Sequence, residues 1–485
     1  MAGGIETIIR SGIEKGAMAL ADWNRRRMPP ADNPFLTGMH APLATEMVFS
    51  DLTVEGHLPV ELDGMYVRNG PNQLGATHPP SHHWFLGDAM VHGVRLQGGR
   101  ALWYRNRWVR STRVSEVLGE KPAPGVRNPR FDTANTNVLA IGGRLFAIVE
   151  AGGNPVELGP DLETLAHNPF DGTLNGPFSA HPHLDPATGL SHAICYEGAP
   201  NGQAFHVVLD GAAHVIRQEP IAVRDGPSIH DCAITEGHIL IFDLPVTFSV
   251  ERALKGFGFP YAWNPKHGSR VGILGLDAPG SSVRWAEVDP CYVFHPANAF
   301  EEKDGTILVD VIVHASMFAT STMGPDSPDT RLERWTIPGQ GGRVERRVVD
   351  GQAQEFPRID ERLTGRRHRF VWTTGVDLAD AARGDSRLFL HDLGTGARQV
   401  HDFGGRQVAG EFVHVPYGPG ELDGWLVGLV TNGETSSLEV LDAADFAAPA
   451  IASVRIPHRI PPGFHGNWIG ASALHAAAAR AYGGM

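Results

Sequence analysis

Short apolar runs, broken by turn formers, recur along the chain from about residue 45 to residue 469. The clearest are Arg144–Glu150, Gly237–Phe242, Thr306–Val313, His368–Trp372, Arg387–Leu390 and Gly424–Val430. They are rich in β-branched and aromatic residues and too short for helices, so they predict strands. Asp-Gly occurs at Asp63, Asp171, Asp210, Asp225, Asp304, Asp350 and Asp423. Between such runs that dipeptide favours tight hairpin turns. Many short antiparallel strands spread evenly over this length fit a β-propeller better than a sandwich, although no common propeller repeat signature is present. The pattern predicts a large all-β domain over 37–485, preceded by a separate segment over 1–36.

The first segment predicts a helix over 1–28. Ile5, Ile8, Ile9, Ile13, Leu20 and Trp23 fall near one face, Arg25, Arg26 and Arg27 follow, and Met28-Pro29-Pro30 ends it. Two readings fit: a helix packed on the body of the protein, or one lying on a membrane surface with its arginines at the headgroups. Residues 246–264 interrupt the strand rhythm with Phe248, Leu254, Phe257, Phe259, Tyr261 and Trp263. That stretch reads equally as a cap over the core and as the lining of an apolar entrance. The alanine-rich end from Ala471 to Met485 predicts a short helix or a frayed tail.

Composition narrows the function classes. The formal net charge is −13, and no broad basic face is visible, which argues against a nucleic-acid partner. The three cysteines, Cys195, Cys232 and Cys291, are scattered and give neither a disulfide framework nor a CxxC metal site. A reducing, cytoplasmic compartment fits best. No stretch approaches a membrane span, and the N-terminus lacks a signal-peptide pattern, so peripheral contact is the membrane role left open.

The candidate chemistry lies in four histidines with distinctive surroundings: Ser179-Ala180-His181-Pro182, Ile229-His230-Asp231, Phe294-His295-Pro296-Ala297-Asn298 and Phe464-His465-Gly466-Asn467-Trp468. No single helix or loop brings them together, whereas a ring that returns the chain repeatedly to one axis does. Four neutral imidazoles without a ligating carboxylate or thiolate suit a divalent transition metal and leave coordination positions open, as a non-haem iron oxygenase requires. Of the 24 histidines, most must be ordinary; His183, His238 and His458 lack such settings and read as structural. Metal-bound histidines usually donate their second ring N–H to an acceptor. Glu150, Glu355 and Glu411 stand in apolar settings and are candidates for that role, with surface ion pairing as the alternative.

At these residues the chain resembles the carotenoid cleavage oxygenase family, from about Asn33 to Ile469. The resemblance rests on ordered blocks: Tyr66-Val-Arg-Asn-Gly-Pro-Asn72, His83-Trp-Phe-Leu-Gly-Asp-Ala-Met-Val-His-Gly93, Trp103-Tyr-Arg-Asn-Arg107, Thr133-Ala-Asn-Thr-Asn137, Glu355-Phe-Pro-Arg358 and the four histidine blocks. It implies a seven-bladed β-propeller with iron on the central axis, an N-terminal helix, and a helical and loop cap over the top face. It implies Fe(II) on His181, His230, His295 and His465, with Glu150, Glu355 and Glu411 behind His230, His295 and His465 respectively. Thr136 matches the position whose side chain shields one face of the iron. The implied reaction is cleavage of an electron-rich C=C bond by O2 to two carbonyl products, without an organic cofactor. The chain departs from the family at Leu86 and Ala89, which alter a loop and spare the ligands. It also departs at Ile469-Gly470, so the resemblance does not fix the C-terminal path.

For the substrate, relatives that cleave stilbenes or alkenylphenols grip the phenol with a Tyr and a Lys, and those positions align with Trp108 and Arg127. Their absence favours an apolar polyene, a carotenoid or apocarotenoid, over a stilbenoid or alkenylphenol. A related isomerohydrolase reaction would use the same iron without O2.

Overall fold

The computed structural model describes residues 15–129, 131–200, 202–378 and 384–483. Among these, seven largely antiparallel sheets of four or five strands follow one another as the blades of a propeller. The innermost strands are Asn137–Ile141, His183–Leu184, Cys232–Ile234, Pro296–Glu301, Gln354–Arg358, Val408–Pro416 and Gly466–Gly470. Two blades are assembled from both ends of the chain. Gly466–Gly470 pairs with Gly64–Pro71, in register from Gly64 opposite Gly470 to Arg68 opposite Gly466. Val54–Gly56 pairs with Ala452–Ile456 as the outer strand of the preceding blade. The ring is therefore closed by hydrogen-bonded strands on two adjacent blades.

Burial falls from the second strand of a blade outward, and this explains which strands the hydrophobic pattern exposes. Arg144–Ile148 is buried at every residue and Ile307–His314 at all but Leu308. Such strands are covered on both faces by neighbouring blades and read as continuous apolar runs. Outer strands face water; Ala397–Asp402 is exposed at all but His401. Five of the six apolar runs are second strands, and the sixth, Arg387–Asp392, is a third strand. The Asp-Gly pairs divide differently from the hairpin expectation. Those at Asp210, Asp304 and Asp423 turn between strands of one blade, whereas those at Asp63, Asp171, Asp225 and Asp350 lie in connections between sheets.

A helix runs over residues 15–25, and residues 1–14 of the expected helix lie outside the described residues. Its end is tied down: Asn24 Nδ2 donates to the Leu254 carbonyl (2.7 Å) and Arg25 Nε to that of Gly256 (3.0 Å). Met18, Leu20 and Trp23 nevertheless remain exposed. The 246–264 stretch forms a strand pair, Val246–Phe248 with Tyr261–Trp263, around the helix Val250–Lys255. Ser249 Oγ caps that helix by accepting from Arg252 N, and Gly256 ends it in the left-handed region, with φ 90°. Both readings of the stretch apply. Phe248, Phe259 and Trp263 pack on the core, and Gly258 to Tyr261 border the central cavity. Beyond Gly470 the chain forms the helix Ala471–Tyr482, anchored by buried Leu474 and Ala477. Among the described residues no helix is long and apolar enough to cross a membrane. The three cysteines are buried and unpaired.

Ring closure depends on close approach at Gly64. A Cβ there would lie 2.5 Å from the Trp468 ring and 2.6 Å from the Ile469 carbonyl oxygen. Gly64→Ala is therefore expected to destabilise the fold by about 1–3 kcal/mol through overpacking. Chemical unfolding measures this, and an unchanged midpoint would show that the closing strand tolerates displacement.

Candidate metal centre

Every blade brings a candidate residue to the start of its innermost strand. Thr136 immediately precedes Asn137–Ile141; His181, His230, His295 and His465 lie within two residues ahead of theirs; Glu355 and Glu411 lie inside the first half of theirs. Glu150 alone comes from elsewhere, two residues beyond the second strand Arg144–Ile148. The propeller thus gathers onto one axis residues that are far apart in sequence.

The four imidazoles are buried, with metal-capable nitrogens all within 4.8 Å of one another. His181 Nε2 lies 3.1 Å from His230 Nε2, which lies 3.2 Å from His295 Nε2. Three of the rings have their Nδ1–H engaged. His230 donates to Glu150 Oε1 (2.7 Å), His295 to Glu355 Oε2 (2.7 Å), and His465 reaches both Glu411 oxygens (3.2 and 3.3 Å). These are the pairings implied by the resemblance. A proton held on Nδ1 leaves a lone pair on Nε2, so the inward nitrogens of these three rings face the centre as acceptors. Two nitrogens at right angles, each about 2.1 Å from one ion, would stand about 3.0 Å apart. The donor set and its spacing fit a single divalent transition metal.

Electrostatics keep this set ready for a cation. Burial, and then the neighbouring imidazoles, hold His181 well below the ordinary imidazole range; burial also lowers His465. Burial works against His295 too, but Glu355 outweighs it and raises that ring. Burial would raise the Glu355 and Glu411 carboxyls, yet their partners prevail and hold both well below the usual carboxylate range: His295 and His314 for Glu355, Arg358 and His465 for Glu411. Both remain ionised and supply negative charge behind the ligands.

Each carboxylate is also held by a further group to which the sequence assigned no role. Tyr196 Oη donates to Glu150 Oε2 (2.9 Å), His314 Nε2 to Glu355 Oε1 (2.7 Å) and Arg358 Nε to Glu411 Oε1 (2.8 Å). Arg358 also binds the Gly466 carbonyl (2.7 Å), tying Glu411 to the strand that follows His465. Arg358 was visible in the Glu355-Phe-Pro-Arg358 block. His314 and Tyr196 carried no sequence signal, because they meet their carboxylates only across blades. His181 differs from the other three: Asp231 Oδ2 is 3.8 Å from its Nδ1, beyond hydrogen-bond reach.

The backbone is strained where it aims these groups. Ala151 (φ 61°) and Phe356 (φ 52°) follow Glu150 and Glu355 in left-handed conformations that non-glycine residues rarely adopt. Register shifts fall at Pro296/Asn298, Glu355/Arg358 and Ala409/Phe412, beside His295, Glu355 and Glu411. Such bulges turn side chains out of the regular pleat.

The centre opens onto a cavity of about 340 Å³. One wall is aromatic. Phe85 stands edge-on to Phe259, Phe294, Phe318 and Phe464, with ring centroids 5.4–6.0 Å apart. Thr136 also lines the cavity, and its carbonyl accepts from His465 N (3.2 Å). The two positions used to judge the substrate lie elsewhere. Trp108 is buried against Leu74, Met90 and Val114, donating through Nε1 to the Asn72 carbonyl (3.0 Å). Arg127 pairs with Asp132 (3.5 Å). Neither borders the cavity, so the expectation drawn from them loses its basis; each is held by local partners that sequence alignment cannot reveal. His183 bonds Asp231 (2.8 Å), His238 bonds Glu301 (2.8 Å) and His458 bonds the Arg459 carbonyl (2.7 Å), all outside the group of four.

Comparison with known proteins gives a consistent result. The profile of the retinal pigment epithelial membrane protein family matches residues 40–470. A carotenoid cleavage oxygenase of Mycobacterium tuberculosis is 38% identical, over 90% of this chain and 98% of the relative. The apocarotenoid-15,15'-oxygenase of Synechocystis is 31% identical, over 86% and 92%. Among solved structures, a cobalt-substituted Synechocystis ACO superposes with a TM-score of 0.79 at 28% identity, covering 89% of this chain and 97% of that one. A lignostilbene dioxygenase of Pseudomonas brassicacearum superposes with a TM-score of 0.81 at 27% identity, covering 92% and 100%.

The differing supports of the carboxylates predict different losses. Glu355→Gln is expected to weaken metal binding about 10–100-fold with the fold retained. Glu411→Gln also strips Arg358 of a buried partner and is expected to cost on the order of 3 kcal/mol of stability. Metal titration and chemical unfolding of both variants check this; the greater loss of stability in Glu355→Gln would contradict it.

Proposed function

The chain belongs to the carotenoid cleavage oxygenase family, and we propose that it uses Fe(II) and O2 to cleave a C=C bond of an apolar conjugated alkene, a carotenoid or apocarotenoid. The observation that carries this reading is the meeting of four inward imidazole nitrogens beside an aromatic-walled cavity, which His230, His295 and His465 border. Neutral ligands leave the metal its full charge, and the carboxylates behind three of them moderate it. When bound, ferrous iron would activate O2 toward the alkene, whose C=C bond supplies the electrons as it breaks, one oxygen atom going to each carbonyl product.

The chain's own residues do the rest. His181, His230, His295 and His465 hold the ion, and Glu150, Glu355 and Glu411 fix the ring orientation of the last three. Thr136, carried beside His465, restricts approach from one side. Phe85, Phe259 and Phe294 exclude water and hold a flat polyene by its faces.

A stilbenoid or alkenylphenol substrate is the second reading, supported by the similarity to the lignostilbene dioxygenase. The aromatic wall and the carotenoid-cleaving relatives favour the polyene. Under air, the iron-loaded protein is expected to cleave apocarotenoids with higher kcat/KM than resveratrol-like stilbenes, and to form nothing under argon. His295→Ala is expected to be inactive. A phenolic alkene beating every polyene would establish the second reading; turnover under argon would point to an isomerohydrolase, and full activity of His295→Ala would remove the ligand assignment.

We also propose contact with a membrane surface, from which an apolar polyene would be drawn. Met18, Leu20 and Trp23 are 65%, 45% and 54% exposed, and Val250, on the helix that the N-terminal helix docks against, is 51% exposed. The same stretch continues into Gly258 to Tyr261 at the cavity. Co-flotation with neutral lipid vesicles is expected to persist at high salt, because apolar insertion is not screened. Absence of co-flotation at every salt concentration would show that this surface has no affinity for lipid.

A further inference from the structure

His314 is a fifth histidine joined to the centre through a carboxylate. It ends the strand Ile307–His314 and is locked to Tyr292 by two backbone hydrogen bonds of 2.8 Å, one in each direction. Its ring is buried, edge-on to Phe294 at 5.3 Å. Nε2 donates to Glu355 Oε1 (2.7 Å), while the other oxygen of that carboxylate accepts from His295 Nδ1 (2.7 Å) and Phe356 N (2.7 Å). Nδ1 of His314 is buried without a hydrogen-bond partner. The tautomer that fits carries its proton on Nε2, since an N–H at Nδ1 would be a buried, unsatisfied donor.

We propose that His314 is a positioning residue for the metal centre, acting through Glu355 to fix the orientation and donor strength of His295. A carboxylate gripped at one oxygen can swing about its last torsion, and the ring it supports then follows. Gripped at both, it holds the His295 ring so that Nε2 points at the axis. The comparison within this molecule is Glu411. There the grip on the second oxygen is the cationic Arg358, and the bonds to His465 are 3.2 and 3.3 Å, against 2.7 Å from His295 to Glu355. A cation draws the carboxylate's charge away from its ligand, whereas a neutral imidazole leaves that charge on His295. The backbone strain at Phe356 belongs to the same arrangement: its N–H is turned onto Glu355 Oε2, and its ring stacks on His295 at 5.5 Å.

This inference rests on the metal-binding reading of the four histidines, and its test needs no substrate. The full-length, metal-free protein is titrated anaerobically with cobalt(II), and the visible ligand-field absorption reports affinity and coordination. His314→Phe keeps a flat ring and removes the donor; His314→Gln restores an N–H near the position of Nε2. The expected result is about a 10–100-fold loss of cobalt affinity, with a displaced absorption band, in His314→Phe. His314→Gln is expected to recover most of that loss, with both variants unfolding near the wild-type midpoint. Wild-type affinity and spectrum in His314→Phe would overturn the proposal while leaving the metal site intact. Equal losses in both variants together with lowered unfolding midpoints would overturn it in favour of a packing role. Failure of the wild-type protein to bind cobalt would overturn the metal-binding reading and this inference together.

Discussion

The inward nitrogens of His230 and His295, 3.2 Å apart with both Nδ1–H groups held by carboxylates, do not rest lone pair toward lone pair in a buried site unless a cation or a proton lies between them. That constraint organises the rest of the molecule. Three of the rings are denied the simplest escape, turning an N–H inward, because their other nitrogen is held by a carboxylate. The carboxylates are in turn buried, and each requires its own support: a phenol at Glu150, an imidazole at Glu355 and a guanidinium at Glu411. The centre is thus built in layers, each compensating the desolvation of the one inside it.

The propeller is the means by which so many polar groups reach one point. Seven innermost strands start near the axis, and the residue at or near each start faces the centre. Regular pleating alone would aim only some of them correctly. The bulges beside His295, Glu355 and Glu411, and the left-handed residues after Glu150 and Glu355, make local corrections. Strain of this kind costs on the order of 1–3 kcal/mol per residue and persists where the surroundings over-determine it. Here the surroundings include strands from both ends of the chain, so the closure at Gly466–Gly470 also fixes the placement of His465.

What could be read from the sequence follows the same physics. Second strands, such as Ile307–His314, were legible because burial on two faces makes them continuously apolar. Innermost strands such as His183–Leu184 and Cys232–Ile234 were not, since they are short and lead into polar turns. The four axial histidines stood out by their local blocks, and the resemblance implied which glutamate lies behind which ring. His314 and Tyr196 were invisible because their meaning lies in cross-blade pairing. Trp108 and Arg127 carry no weight on the substrate, because correspondence in sequence does not say which way a side chain faces; both turn to local partners away from the cavity.

The centre and its cavity divide the problem of specificity. In the proposed function the four-histidine group would set the reaction class, and the aromatic wall, with Phe85 at its middle, the kind of molecule admitted. The capping stretch 246–264 couples the two, since it packs on the core and lends Phe259 and Tyr261 to the cavity. The central claim is that all four imidazoles, and no carboxylate, hold one iron. X-ray absorption of the anaerobic, iron-loaded protein tests this directly. The account predicts a first shell of light atoms, with outer-shell scattering from four imidazole rings. A shell with fewer imidazoles and a carboxylate in place of one, or one containing sulfur, would contradict it.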